Sequence, residues 1–285
     1  TLIGGCQGFN DGIANYTGKT TVNITGGTVE TIYGAGSGRN ASIPTFKGTL
    51  NISVSGGTVK NIYGSGSAAY VISDASAPSK VNITVTGGRV DNIYAAGLGG
   101  DTGIGDYNKT DGTTVKVPKP ELMGSLTGDA QIVIRDSAVI GNIYASGSGY
   151  ENEKATYDTT KNAFLDGTAK IQVQGGTISG NIYGGGKGVA DSDNKYADCA
   201  RVTEDSKVEI EIAGGTVGGN VYGGGENAKV EGSTSVAVNG GAVAGNVFGG
   251  GAFAEIGGST LVTIAGGTVK NRVYGGGQEG LVRGR

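Results

Sequence analysis

Histidine and tryptophan are absent from the 285 residues, methionine occurs once, cysteine twice and proline four times. Without histidine, Ser-His-Asp and Cys-His nucleophiles, imidazole zinc sites and histidine general bases are all excluded. Collagen is excluded despite 59 glycines, because proline is scarce and glycine does not fall at every third position. The formal charge of −3 gives no electrostatic reason to expect nucleic acid or an anionic membrane surface as partner. No apolar run approaches the ~20 residues of a membrane span. Leucine is scarce too: eight, against 27 valines and 22 isoleucines. That excess of β-branched side chains favours strands over helices and makes the chain read as nearly all β.

What fills the chain is a repeat. An Ile/Val-aromatic-Gly/Ala signature recurs at Tyr33, Tyr63, Tyr94, Tyr144, Tyr183, Tyr222, Phe248 and Tyr274, with a degenerate copy at Ile3. The last two intervals are 26 residues and the earlier ones are longer, so the unit is ~26 residues with insertions. Each unit holds an alternating run ending near Gly-Gly, such as Val81/Ile83/Val85, then a run into the aromatic. A third, short run is anchored by Tyr16, Phe46, Ala77, Leu126, Leu165, Val230 and Ile256. Alternation of period two means a strand with one buried face, and one such unit cannot bury that face alone. The expected fold is therefore all-β: a right-handed parallel β-helix of about nine coils, three strands per coil, forming a single domain over 1–285. Val85, Ile134, Val173, Ile212, Val238 and Ile264 share one slot and should form a buried column. From Val to aromatic is four residues in the first full units and five from Val139–Tyr144 onward, a change that a corner or bulge must absorb. Cys6 and Cys199 then lie about five coils apart, roughly 24 Å at ~4.8 Å per coil, too far for a disulfide. The chain starts in a second strand and stops in a third, so further coils, caps or end-to-end self-association are expected.

Blocks such as Gly214-Gly215-Thr216-Val217 followed by Asn220-Val221-Tyr222-Gly223-Gly224-Gly225 resemble the glycine-rich parallel β-helix repeats of large bacterial surface proteins, the adhesin-like class. The resemblance covers essentially the whole chain. It implies an extracellular or cell-surface location and a non-catalytic role carried by decorations on a rod, and it transfers no functional residue.

Periodic features serve the period. The tyrosines should point outward, opposite the inward isoleucines, and either cover the neighbouring glycine backbone or form an exposed platform for sugar rings. Asn61, Asn92, Asn142, Asn181, Asn220 and Asn246 should link units through their amides. Non-periodic features are better candidates for function. The longest insertions, near 97–125, 148–163 and 187–202, are consecutive and should leave the rod at one shared corner. They carry Tyr107, Tyr150, Tyr157 and Tyr196. Beside them, Arg135 and Asp136 interrupt the consensus, with Asp136-Ser137-Ala138-Val139 replacing Gly-Gly-Thr-Val. These six residues are the expected binding surface, for a glycan or a host or cell-surface protein. Asp191, Asp193, Asn194 and Asp198 offer hard oxygen donors for calcium, without the glycine and distal glutamate of a helix-loop-helix site; no cofactor is otherwise expected. The alternative is a carbohydrate-active β-helix, a lyase or hydrolase whose acids come from the insertions, since on the strands only Glu209 and Glu211 pair carboxylates. An ice-binding threonine plane is confined to the first three full coils.

Overall fold

A computed structural model describes residues 1–12, 14–73, 78–100, 104–117, 119–150, 161–190 and 198–284. Among these the chain is all-β, with a single 3-10 turn at Pro120–Leu122 and no α-helix. The architecture is solenoid-like, because nearly every strand pairs in parallel with its own counterpart one repeat later. The alternating runs stack in register: Asn15–Tyr33 on Thr45–Tyr63, with shifts only at the turn after Ile24, then Lys80–Val85, Asp129–Ile134, Thr168–Val173, Lys207–Ile212, Ser233–Val238 and Thr260–Ile264. Register is fixed by period-two patterning, since a slip of one residue would turn every inward Val and Ile to solvent.

The expected column is present. Val85, Ile134, Val173, Ile212 and Val238 are aligned and fully buried, and Ile264, at the last strand, is 45% exposed. Stacked β-branched residues repeat one packing solution in each layer, so the interior is a continuous aliphatic cluster from Val22 to Ile256. The aromatics form a second, separate cluster on the other side of their strands. Their rings stack from Tyr63 to Tyr274 with centroids 4.8–5.1 Å apart and planes within 8°. Of the two arrangements open to the tyrosines, the structure has the packed one and not the exposed platform: Tyr63, Tyr94, Tyr144, Tyr183, Tyr222 and Phe248 are all buried.

Glycine has two distinct structural tasks. At the turn after each alternating run the second glycine takes positive φ, from 67 to 80° at Gly27, Gly57, Gly88, Gly176, Gly215, Gly241 and Gly267. After the aromatic the need is space: a Cβ on Gly223 would lie 2.1 Å from the Gly249 carbonyl oxygen, and one on Gly64 2.1 Å from that of Ala95.

Three expectations about register are corrected. Ile140, not Val139, aligns with Val90 and Ile178, so the change from four to five residues comes one repeat later. The extra residue enters at Ser179, where Val139–Tyr144 pairs with two separate pieces, Thr177–Ile178 and Ile182–Tyr183. Val71, not Ala77, occupies the anchor slot between Phe46 and Leu126. The surplus of that repeat therefore lies after the anchor, so not every insertion shares one corner; Ala77 itself lies outside the described residues. Val202 likewise fills a slot between Leu165 and Val230. Cys6 and Cys199 form no disulfide, as the axial spacing requires.

Candidate loop-edge site

The roots of the three long insertions meet. Leu98 bridges Ser67 and Ser148 in parallel, and the Lys187 N–H donates to the Gly147 carbonyl at 3.0 Å. The first insertion then runs back along the rod, with Ile104 pairing with Asn40. It closes a satellite core of Ile43, Ala68, Ile104, Val117 and Met123. On that floor stands a hairpin, Tyr107–Asn108 against Thr114–Val115. Its turn is closed by Gly112 N–H to Lys109 O at 3.1 Å and by Asp111 Oδ1 accepting from Thr113 N–H at 2.9 Å. Asp106 receives Lys116 Nζ at 2.6 Å and the Val117 N–H at 3.1 Å, and Lys109 reaches Asp11 at 2.6 Å. The Lys109 ammonium holds the Asp11 carboxyl below the ordinary carboxylate range, and the Thr113 amide does the same for Asp111. Tyr107 is half-buried on this hairpin.

The second insertion is pinned at its base by Asn162, which is fully buried and bonds both sides of Tyr150. The Tyr150 N–H donates to Asn162 Oδ1 at 3.1 Å, and Asn162 Nδ2 donates to the Tyr150 carbonyl at 3.2 Å. Tyr150 is half-buried there. Ala163 and Ala200 follow in the left-handed region, with φ of 62 and 58°, and pack on Ala228. Tyr157, Tyr196, Asp191, Asp193 and Asn194 lie outside the described residues. Asp198 is engaged by Lys229 at 3.5 Å, and the described residues contain no cluster of three or more carboxylate or thiol groups fit to hold a metal ion.

Arg135 and Asp136 belong elsewhere. They sit exposed at the turn between Asp129–Ile134 and Val139–Tyr144, against Thr86, Gly88 and Gly175, rather than at the corner that the insertions leave. The turn is one residue longer than its neighbours, and Asp136 supplies the left-handed residue, with φ of 52°. It is closed by backbone, Ala138 N–H to Arg135 O at 3.2 Å. The expected juxtaposition of these two residues with the loops is thus corrected.

Several residues at the loop edge were not singled out from sequence. Arg201 lies over the Phe164 ring at 5.3 Å and pairs with Glu231 at 3.6 Å, beside the Asp198–Lys229 pair. Phe253 is 54% exposed, and Phe9 is 56% exposed with Arg39 over its ring. The signal for Phe164 and Arg201 is that each directly precedes an anchor, Leu165 or Val202, and so faces outward.

Beneath this edge lies the aromatic column. Burial raises its phenols, Tyr63 and Tyr183 to about 12 and Tyr222 less far. Tyr94 and Tyr144 are raised further, Tyr144 also because it donates to Glu226 Oε2 at 2.7 Å. The asparagine column flanks it, as expected from sequence. Asn92 and Asn142 each donate Nδ2 to the preceding amide oxygen, at 3.0 and 3.2 Å. From Asn142 onward the amide oxygens also accept the next repeat's backbone N–H, at 2.7–3.1 Å. The change coincides with the residue inserted at Ser179.

No family model, curated protein or solved structure matches the chain. Its functional reading rests on its own geometry. No helix among the described residues is long and apolar enough to cross a membrane.

Proposed function

We propose that this chain is a rigid, extracellular, right-handed parallel β-helix of about nine coils, three strands per ~26-residue coil. It displays a loop edge for attachment to a glycan or to a protein on another surface, without catalysis. The observation that carries this reading is the placement of the irregular sequence. The rod is made of repeated, self-satisfying layers, whereas the long insertions spring from adjoining roots and hold half-buried tyrosines, an Arg201–Phe164 stack and paired charges of both signs. Aromatic anchors with a polar surround, held on a rigid scaffold, are what recognition surfaces use. The adhesin-like resemblance points the same way.

The test is binding to an array of immobilised neutral, sialylated and uronic-acid glycans and extracellular-matrix proteins. One arm uses the full chain. The other uses a rod whose three insertions are cut to the eight-residue spacing of Phe248–Ile256. Capture by the full chain and loss with the trimmed, still-folded rod is expected; equal capture by both would refute the loop edge.

One observation favours a second reading, a carbohydrate-active surface. Glu209 lines an open groove of about 250 Å³ with Lys207, Ser233, Ser235 and Leu261, and Glu211 points to the same outer face of the strand. New reducing ends or unsaturated products from a polysaccharide panel would replace the attachment reading with this one.

A further inference from the structure

The aromatic column has a feature that packing alone does not require. Six tyrosines, Tyr33 to Tyr222, stack without interruption at 4.8–5.7 Å between centroids. Phe248 then separates them from Tyr274. Within the stack the phenols are treated differently. Tyr222 donates to the neutral amide oxygen of Gln278 at 2.7 Å, and Tyr183 accepts from the amide of Asn181 at 2.9 Å. Tyr144, 4% exposed, donates to a carboxylate, Glu226 Oε2, at 2.7 Å, reaching across two repeats to do so. A buried phenol hydrogen-bonded to an anionic base is poised to lose an electron and a proton together, because the proton has an acceptor already in place.

We propose that Tyr144 and Glu226 form a proton-coupled redox site that traps one-electron oxidising equivalents entering the stacked tyrosines. An oxidant of the radical class takes one electron from the column, with entry at the partly exposed ring of Tyr33. The hole passes from ring to ring and stops at Tyr144. There the O–H bond breaks: the electron fills the hole, the proton moves to Glu226 Oε2, and a neutral tyrosyl radical faces a carboxylic acid. A one-electron reductant of the ascorbate or thiol class restores the phenolate electron pair while the proton returns from Glu226. Burial protects the radical from coupling to a second phenol. The stacked rings are held parallel and offset, so ring-to-ring carbon bonding is geometrically disfavoured.

The chain supplies its own non-perturbing variants. Phe248 occupies the same column slot as Tyr144, and the loop position of Glu226 is Ala252 and Gln278 in the next two repeats. Tyr144→Phe, Glu226→Gln and Glu226→Ala should therefore fold, as circular dichroism will show. Flash oxidation with a ruthenium tris-bipyridine sensitiser and persulfate, read by electron paramagnetic resonance and transient absorption, is the test. The wild-type chain should give one persistent tyrosyl signal with a solvent deuterium isotope effect on its formation. Tyr144→Phe should abolish that signal, and Glu226→Gln and Glu226→Ala should slow its formation about tenfold or more. A signal unchanged in Tyr144→Phe, a formation rate unchanged in Glu226→Gln, or oxidation confined to loop tyrosines such as Tyr107 and Tyr150 would overturn the proposal.

Discussion

Truncating Ile212 to alanine should be among the most damaging single changes in the rod. The side chain is fully buried between Val173 and Val238, with Ile210 on the same inner face. Three carbons leave the core, and at ~0.8 kcal/mol per methylene the transfer loss alone is about 2.4 kcal/mol. The void cannot close by backbone movement, because the strand is tied on both sides. The Ala213 N–H donates to Val173, and the Ile212 carbonyl accepts from Asn239 and Gly240. A persistent cavity raises the total to about 3–5 kcal/mol. Ile264→Ala is the control: the same column and chemistry, but 45% exposed and stacked on one side only, so it should cost roughly half as much or less. Ile212→Asp, which buries an unpaired carboxylate, should exceed both. Urea unfolding, joined to hydrogen exchange of the Ile210–Ala213 amides because repeat arrays lose cooperativity, separates local from global loss. Equal losses for Ile212→Ala and Ile264→Ala would refute the buried-column reasoning.

Gly223→Ala should lower thermal stability by about 2–3 kcal/mol or prevent folding, since its Cβ would meet the Gly249 carbonyl at 2.1 Å, whereas Gly26→Ala, with open space around it, should melt like the parent. Asp136→Gly should be neutral or stabilising by up to ~1 kcal/mol, and Asp136→Val should cost about 1–2 kcal/mol, because φ is 52° there; differential scanning fluorimetry reads both. The column should also make the protein alkali-sensitive. Its phenols ionise at about 12 in the folded state at Tyr63 and Tyr183, against ~10 when unfolded, so the folded state binds more protons above pH 10. Stability is then fully present below pH 10 and falls as pH rises toward 12, and a urea midpoint that stays flat from pH 9 to 12 would contradict the burial of these rings.

Much of the fold was legible because the interior repeats one solution. The Val/Ile alternation carries its own register, and the second glycine of the Gly-Gly pair that follows an alternating run marks a positive φ that other residues rarely take. What misled was local. Val139 and Ile140 are both apolar, so sequence could not say which faces inward; the extra residue at Asp136 moves the frame by one and makes Ile140 the inward residue. Val71 was passed over because Ser73–Ser79 sets it farther from the next alternating run than the other anchors, with Ser79 Oγ donating back to the Ile72 carbonyl. A packed setting for the tyrosines was one of the two readings of the ladder, but what covers them was hidden for another reason. Their cover comes from chain two repeats ahead, as with Glu226 and Gln278, a separation that no local pattern encodes. The loop edge was legible as insertions but not as contacts, since Arg201 meets Phe164 only once the anchors are paired.

The central claim is that length along the rod is counted in coils and not in residues, with each insertion held outside the count. Spin labels at Asn23, Gln172 and Thr263, in a chain with Cys6 and Cys199 changed to serine, measure this directly. Asn23 and Gln172 are four aligned steps apart, and Asn23 and Thr263 seven. At ~4.8 Å per step the axial separations should be about 19 and 34 Å. If the three long insertions were coils of their own, each would add a step, and an Asn23–Thr263 distance of about 48 Å would contradict the account.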